Sequence, residues 1–433
     1  MNREPSQKNT KNLHPNIWPP FTQIKNSRAQ LEVSHGKDAL IFTENPKREL
    51  IDGISSWWVT LHGHSNEYIA NSIASQAKQL EQVIFADFLH PQAKRLAERL
   101  SKITRLERLF FSDNGSTAVE VALKIAYQWW QNQGEERNQI IAFDGAYHGD
   151  TFGAMALGER NIFNENFDDL MFPVARAPWP STWIGDEAIE HKESLAIKIL
   201  SELLKKPTVA VIFEPLLQGA GGMNMVRPEF ITKVSDVVKK NNTLLIADEV
   251  LTGFGRCGDL FAFQKAKINP DLIAISKGLT GGFLPMGITL STAKIFESFI
   301  SDSPKKTFWH GHSFTANPLG CAAANASLDL LEANPMSYKS LEVKHLLHLK
   351  KFEKFSFVKR FRVCGTIAAF ELELGNNKGY LNTIGKRIKD LSIEKGLFIR
   401  PLGNVIYLLP PLCITDEQLE RSYSIIAEIL TNL

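Results

Sequence analysis

Residues 271–282 read DLIAISKGLTGG, an apolar run that stops at Ser276-Lys277 and opens onto glycines. A surface lysine needs no such setting. An amine that must meet a bulky ligand at close range does need small neighbours. Upstream, residues 244–256 (LLIADEVLTGFGR) repeat the arrangement, and there the apolar run ends in Asp248-Glu249. Further runs lie at 108–112 (RLFFS), 139–143 (QIIAF) and 209–213 (VAVIF), joining 243–247 (TLLIA) and 271–275 (DLIAI). Continuous apolar runs, unlike alternating ones, fit strands covered on both faces of a largely parallel sheet. The segments between them carry helical periodicity: after Asn114, Val119, Leu123, Ala126 and Trp130 recur on one face. The pattern predicts an α/β fold.

Ligands in open α/β sheets gather beyond the carboxyl ends of the strands. RLFFS leads into Asp113-Asn114-Gly115-Ser116 and then Thr117-x-x-Glu120, the spacing of a capping box. Gly115 permits a tight turn, and the free N–H groups of the helix start suit a phosphate. Alone, this is an ordinary helix start. QIIAF leads into Asp144-Gly145-Ala146-Tyr147-His148-Gly149-Asp150, either a plain turn or a loop that lays an aromatic over a flat ligand. Glu214-Pro215 with Gln218, at another strand end, reads as support or capping. Asp248 suits either Mg²⁺ in an NTPase or a protonated ring nitrogen; GxxxxGK[ST] is absent, which removes the NTPase. Lys277, in a close and partly apolar pocket, loses its proton readily and becomes a nucleophile or base. A phosphate cradle, a covering aromatic, a carboxylate for a ring nitrogen and a lysine together meet the needs of pyridoxal 5'-phosphate.

The chain has 433 residues, enough for two or three domains. Lysine plus arginine total 49 against 47 acidic residues, a formal charge of +2, so bulk charge makes no case for nucleic acid or an anionic membrane. Cys257, Cys321, Cys364 and Cys413 lie far apart in sequence and form no CxxC pair, so reduced thiols are expected rather than zinc or a disulfide framework. The polar start, MNREPSQKNTKNLHPN, has no apolar core of a signal peptide, and no run is long enough to span a membrane. A cytoplasmic protein is expected. Residues 1–16 read as a flexible arm, and about 40 to 52 as a hairpin around Asn45-Pro46. Beyond about 330, FRVCGTIAAFELEL and GLFIRPLGNVIYLLPPL alternate with helical segments, which suggests a smaller α+β domain. The pairs His62-Gly63-His64 and His310-Gly311-His312, with His148 and Asp150, invite a metal-dependent hydrolase. No carboxylate sits at ligand spacing beside either pair, so no metal is expected. Trp129-Trp130 read as core or subunit contact.

With Asp248 and Lys277 in LLIADEVLTGFGR and DLIAISKGLTGG, the chain resembles the class III aminotransferases of PLP fold type I, over about residues 13–430. The resemblance implies an N-terminal arm and hairpin over 1–60 joining the small domain, a large PLP-binding domain over 61–325, and a small α+β domain over 326–433. The large domain would hold a mostly parallel sheet flanked by helices. Within the class, six patterns resemble the branch that aminates 8-amino-7-oxononanoate in biotin synthesis with S-adenosyl-L-methionine as donor. They are IWPPFTQ (17–23), DGISSWW (52–58), SDNGSTAVEVALK (112–124), GAYHGDT (145–151), HGHSFTANPL (310–319) and IRPLGNVIYLLPP (399–411). The resemblance implies that Lys277 carries the cofactor, Asp248 pairs with its ring nitrogen, and Gly115 and Ser116 hold its phosphate. It implies that Tyr147 covers the ring and touches substrate, supported by Asp150. Ser313 and the His312 backbone would reach the phosphate of a partner subunit, making a homodimer. Phe21, Trp57, Gly311 and Arg400 would line the substrate site, where Arg400 can grip a carboxylate through two parallel bonds. Phe21 replaces the tyrosine of the adenosylmethionine users, and His312-Ser313 replaces a Pro-Thr. Both replacements leave L-lysine open as donor. Transaminases of the ornithine and 4-aminobutyrate type are the nearer alternatives, and DGISSWW and IRPLGN count against them.

Overall fold

The chain begins with a small sheet built from both of its ends. Strands β1 (Val33–Lys37), β2 (Leu40–Thr43) and β3 (Arg48–Asp52) are antiparallel, and β2–β3 is the hairpin expected around Asn45-Pro46. The computed structural model describes residue 14 and residues 16–26, 28–374 and 384–433. Most of the expected flexible arm therefore lies outside the described residues.

Seven strands form the central sheet: β4 (Arg108–Ser112), β5 (Gln139–Phe143), β6 (Ala175–Ala177), β7 (Thr208–Phe213), β10 (Leu244–Asp248), β11 (Leu272–Ile275) and β12 (Gly287–Ser291). The two-residue strands β8 (Leu217–Gln218) and β9 (Asn224–Met225) pair beside it. The sheet order is β4-β12-β11-β10-β7-β5-β6. β12 runs antiparallel to both of its neighbours, and the other pairings are parallel. All five expected runs are strands of this sheet. Side chains alternate between two apolar layers: Ile141, Phe143, Val211 and Phe213 face one, and Ile140, Ala142, Ala210 and Ile212 face the other. The helix Gly115–Asn132 covers the second layer with Val119, Leu123, Ala126 and Trp130, all buried. The edge strand β4 departs from expectation, because its first three residues are not buried.

The C-terminal part holds β13 (Val358–Cys364), β14 (Ile367–Leu372) and β16 (Val405–Leu408) as an antiparallel sheet. Helices Leu341–Leu349, Ile384–Glu394 and Asp416–Thr431 accompany it. Strand β15 (Leu397–Phe398) leaves this region to pair with β3, so the N-terminal hairpin is completed by C-terminal residues. Among the described residues no helix is long and apolar enough to cross a membrane.

Candidate active site

Four parallel strand ends and one helix start converge on a single cavity of about 410 Å³. Its lining includes Gly115, Ser116, Tyr147, His148, Asp248 and Lys277. Asp248 is the last residue of β10, and Lys277 follows β11, paired with β10 in parallel register, so adjacent strands deliver the carboxylate and the amine side by side. Lys277 has φ +45°, a left-handed conformation costly for a side chain with a Cβ, which turns the chain sharply at the strand's end. Burial pulls the Lys277 amine below the usual lysine range, against the opposing pull of Asp248 and Glu214. The Trp58 ring lies 5.0 Å from its Nζ.

Asp248 is 3% exposed, and its Oδ2 lies 2.7 Å from Nδ1 of His148 while its Oδ1 accepts from the Val250 N–H at 3.0 Å. Nε2 of His148 is buried and without a partner. Glu214, at the end of β7, accepts from the N–H groups of Tyr147 (3.2 Å) and Gly219 (2.9 Å). Burial pushes its carboxyl up to about 7, with the opposing charge of His148 the next influence. The Tyr147 phenol is raised by burial and then by the neighbouring Asp150 carboxylate, so it stays protonated.

At the helix start the capping box is shifted from the expected position. Asn114 accepts from the Thr117 N–H at 3.0 Å, and the Thr117 hydroxyl accepts from the Asn114 N–H at 2.9 Å. Glu120 does not cap this helix. It accepts instead from Thr151 (2.6 Å) and from the N–H groups of Gly153 and Ala154, tying the helix to the loop that carries Tyr147. A Cβ on Gly149 would fall 2.2 Å from Oγ of Ser116, and one on Gly115 would fall 2.7 Å from Val250. Each of these close approaches, of the loop to the helix start and of the helix start to Val250, exists only because its position is glycine. The cradle fits pyridoxal phosphate: helix N–H groups and Ser116 for the phosphate, a backed carboxylate for the ring nitrogen, and a buried amine.

Three of the expected substrate residues cluster together, next in sequence to Trp58 of the cavity wall. Phe21 meets Trp57 edge-on at 5.6 Å, and Arg400 lies 4.9 Å from the Trp57 ring. Phe163, not singled out in the sequence, meets Phe21 at 6.0 Å. Gly311, His312 and Ser313 stand apart from this chain's cavity lining. His312 pairs with Asp113 at 3.2 Å, and the Ser313 carbonyl accepts from Gln82 at 2.7 Å. The HxH pairs are engaged elsewhere: His62 with Ser327 (2.9 Å), His64 with Asp52 (2.9 Å), and His310 with Lys124 (3.0 Å) and His312 (3.1 Å). Sequence reasoning missed Trp58, His148 and Glu214 as parts of the cavity. Their position at strand ends, or beside a residue that was chosen, was the available signal.

The profile of the aminotransferase class-III family matches residues 23–430. The chain is 53% identical to the adenosylmethionine-8-amino-7-oxononanoate aminotransferase of Synechococcus elongatus, over 97% of this chain and 99% of that protein. It is 38% identical to the protein of the same name from Geobacter sulfurreducens, over 93% of each. Its structure resembles that of the Methanocaldococcus jannaschii protein of that name, with a TM-score of 0.88 and 30% identity, covering 96% of this chain and 97% of that one. A PLP-bound amine transaminase from an uncultivated Pseudomonas species is similar at a TM-score of 0.90 and 27% identity, over 98% and 100% of the two chains.

Proposed function

The chain belongs to the class III aminotransferase family, and from that premise we propose that it transfers an amino group from S-adenosyl-L-methionine to 8-amino-7-oxononanoate, giving 7,8-diaminononanoate in biotin synthesis. The observation that carries this reading is the buried Lys277 amine on the strand end beside Asp248. The substrates follow from relatives named for that donor and acceptor along nearly the whole chain.

Pyridoxal phosphate, bound here, supplies a carbonyl carbon that carries the amino group between donor and acceptor, and a ring that withdraws electrons from the carbon being deprotonated. Lys277 holds the cofactor at rest. Its Nζ, whose proton burial loosens, takes the proton from the donor's amine-bearing carbon and passes it on; the same atom works in reverse for the acceptor. Asp248, fixed by His148, keeps the cofactor's ring nitrogen protonated. Gly115 and Ser116 take the phosphate, Tyr147 covers the ring with Asp150 beside its hydroxyl, and Trp58 closes the opposite wall. Arg400 binds the acceptor's carboxylate over the apolar surface of Trp57 and Phe21.

Gly311, His312 and Ser313 belong to the reading of a homodimer in which they complete the partner's cavity; that they are not among the residues lining this chain's own cavity supports it. The division into 1–60, 61–325 and 326–433 and a cytoplasmic location are parts of the same proposal. The β3–β15 pairing supports grouping the first segment with the last.

A half-reaction tests the whole. Holoenzyme without keto acid is mixed with S-adenosylmethionine or with L-lysine, and the cofactor's visible absorbance is followed. Loss of the band with S-adenosylmethionine supports the proposal. Loss with lysine alone moves the donor, a reading that the hydroxyl-free Phe21 favours. An unchanged band with both overturns it.

A further inference from the structure

Cys257 and Cys364 are 107 positions apart in sequence, yet the fold stacks them. Cys257 lies in the segment that leaves Asp248, and Cys364 ends β13 of the C-terminal sheet. The two backbones touch: a Cβ on Gly365 would fall 2.2 Å from the Gly258 nitrogen and 2.3 Å from the Cys257 carbonyl carbon. The contact is stitched by the Thr366 N–H donating to the Arg256 carbonyl at 2.9 Å. The Cys364 thiol reaches the Cys257 carbonyl oxygen at 3.9 Å, so the two cysteines are neighbours in the fold.

Their surroundings differ in a useful way. Both are buried, Cys257 completely and Cys364 to 7% exposure, but Cys364 forms part of the wall of a second cavity of about 590 Å³, distinct from the one that holds Lys277. Lys265 lines that cavity too, its ammonium 3.1 Å from the Cys257 carbonyl and 3.0 Å from Glu342, which in turn accepts from the Gly365 N–H at 2.9 Å. The neighbouring Cys257 and then the Lys265 charge favour ionisation at Cys364, against the cost of burial. Cys257 is correspondingly raised. A cysteine on a cavity wall with a second thiol behind it is the arrangement of an attacking and a resolving cysteine.

We propose that Cys364 and Cys257 are a reversible thiol–disulfide site, oxidised by a small peroxide entering through the second cavity. The Cys364 thiolate attacks one peroxide oxygen; the O–O bond breaks, an S–OH forms, and hydroxide leaves to become water. Cys257 sulfur then attacks the Cys364 sulfur, the S–OH oxygen leaves with the Cys257 proton as a second water, and the S–S bond closes. One peroxide is reduced and two thiols are oxidised. The bond ties the segment behind Asp248 to β13, and a dithiol such as dithiothreitol reverses it. This site stands independently of the substrate assignment.

The test needs no turnover. Holoenzyme is treated with hydrogen peroxide, its remaining thiols are blocked with N-ethylmaleimide, and unreduced peptides are mapped by mass spectrometry. The expected result is a linked 257–364 peptide, removed by dithiothreitol, with Cys321 and Cys413 still blocked by maleimide. Cys257→Ser should abolish the link and leave Cys364 open to further oxidation. Full maleimide labelling of Cys257 and Cys364 after peroxide, or a link to Cys413 instead, overturns the proposal.

Discussion

Lys277 is an amine that the fold has made reluctant to carry charge, and its replacement separates binding from chemistry. Lys277→Ala is expected to abolish multiple turnover while the cofactor still binds, now removable by gel filtration under denaturing conditions. His148 acts through Asp248. His148→Ala removes a hydrogen bond to a buried carboxylate, worth about 1.5–3 kcal/mol, and kcat should fall roughly 10- to 100-fold. His148→Gln, which keeps an N–H near the same oxygen, should recover part of that loss, a response that a purely structural role would not give. Arg400→Lys should raise KM for the keto acid about tenfold with a smaller change in kcat, since an ammonium cannot grip a carboxylate through two parallel bonds. Lys277 and Asp248 were legible because each is a charge placed where an apolar run stops. His148 and Glu214 were not, because their meaning lies in partners 100 and 67 positions away, Asp248 and the Tyr147 backbone.

At the scale of elements, the turn 52–58 shows how two neighbouring tryptophans are sent to different work. Ser55, Ser56 and Trp58 all have positive φ, a costly run for residues with a Cβ. Asp52 offsets that cost: it is buried, accepts from the N–H groups of Ile54 (3.2 Å) and Ser56 (2.6 Å), and takes a third bond from His64. The Ser55 hydroxyl and the Trp58 indole then anchor the turn to Leu409 and Tyr407, at 2.8 and 3.0 Å. Trp58 is thereby held beside Lys277, while Trp57 packs with Phe21 and Arg400. Asp52→Ala is expected to cost on the order of 3 kcal/mol, from two orphaned donors and a freed turn, and to raise KM along with it; chemical denaturation and steady-state kinetics read the two effects. Of the strands, the continuous apolar runs were legible because both faces are covered, except at the edge strand β4, whose first three residues are not buried. β12 (GITLS) was not, since its threonine and serine break the apolar run although every one of its residues is buried. Nor does periodicity reveal that it enters the sheet antiparallel.

Across the whole molecule, the C-terminal sheet shares one apolar layer with the central sheet, where Phe213 and Phe230 belong to the same cluster as Tyr407 and Tyr423. Within the C-terminal part, the packing of two helices rests on a buried histidine that stays neutral. His345 is fully buried between the helices Leu341–Leu349 and Asp416–Thr431. Its Nε2 faces the Thr366 carbonyl at 3.1 Å, so that nitrogen carries the proton, leaving Nδ1 to accept from the Tyr423 hydroxyl at 2.7 Å. Burial lowers its pKa from 6.5 to about 4. A depressed folded-state pKa means that the unfolded chain binds the proton first as the medium turns acidic. The contribution of His345 is therefore complete above pH 6.5 and is lost as pH falls from there towards 4, on the order of 3 kcal/mol in all. His345→Gln, which can donate to Thr366 and accept from Tyr423 without titrating, should be less stable than the native chain at pH 7. Because the variant escapes that part of the acid loss, the gap should narrow steadily by pH 5. Urea unfolding at the two pH values measures it, and an unchanged gap would mean that this histidine does not hold the C-terminal elements together by remaining uncharged.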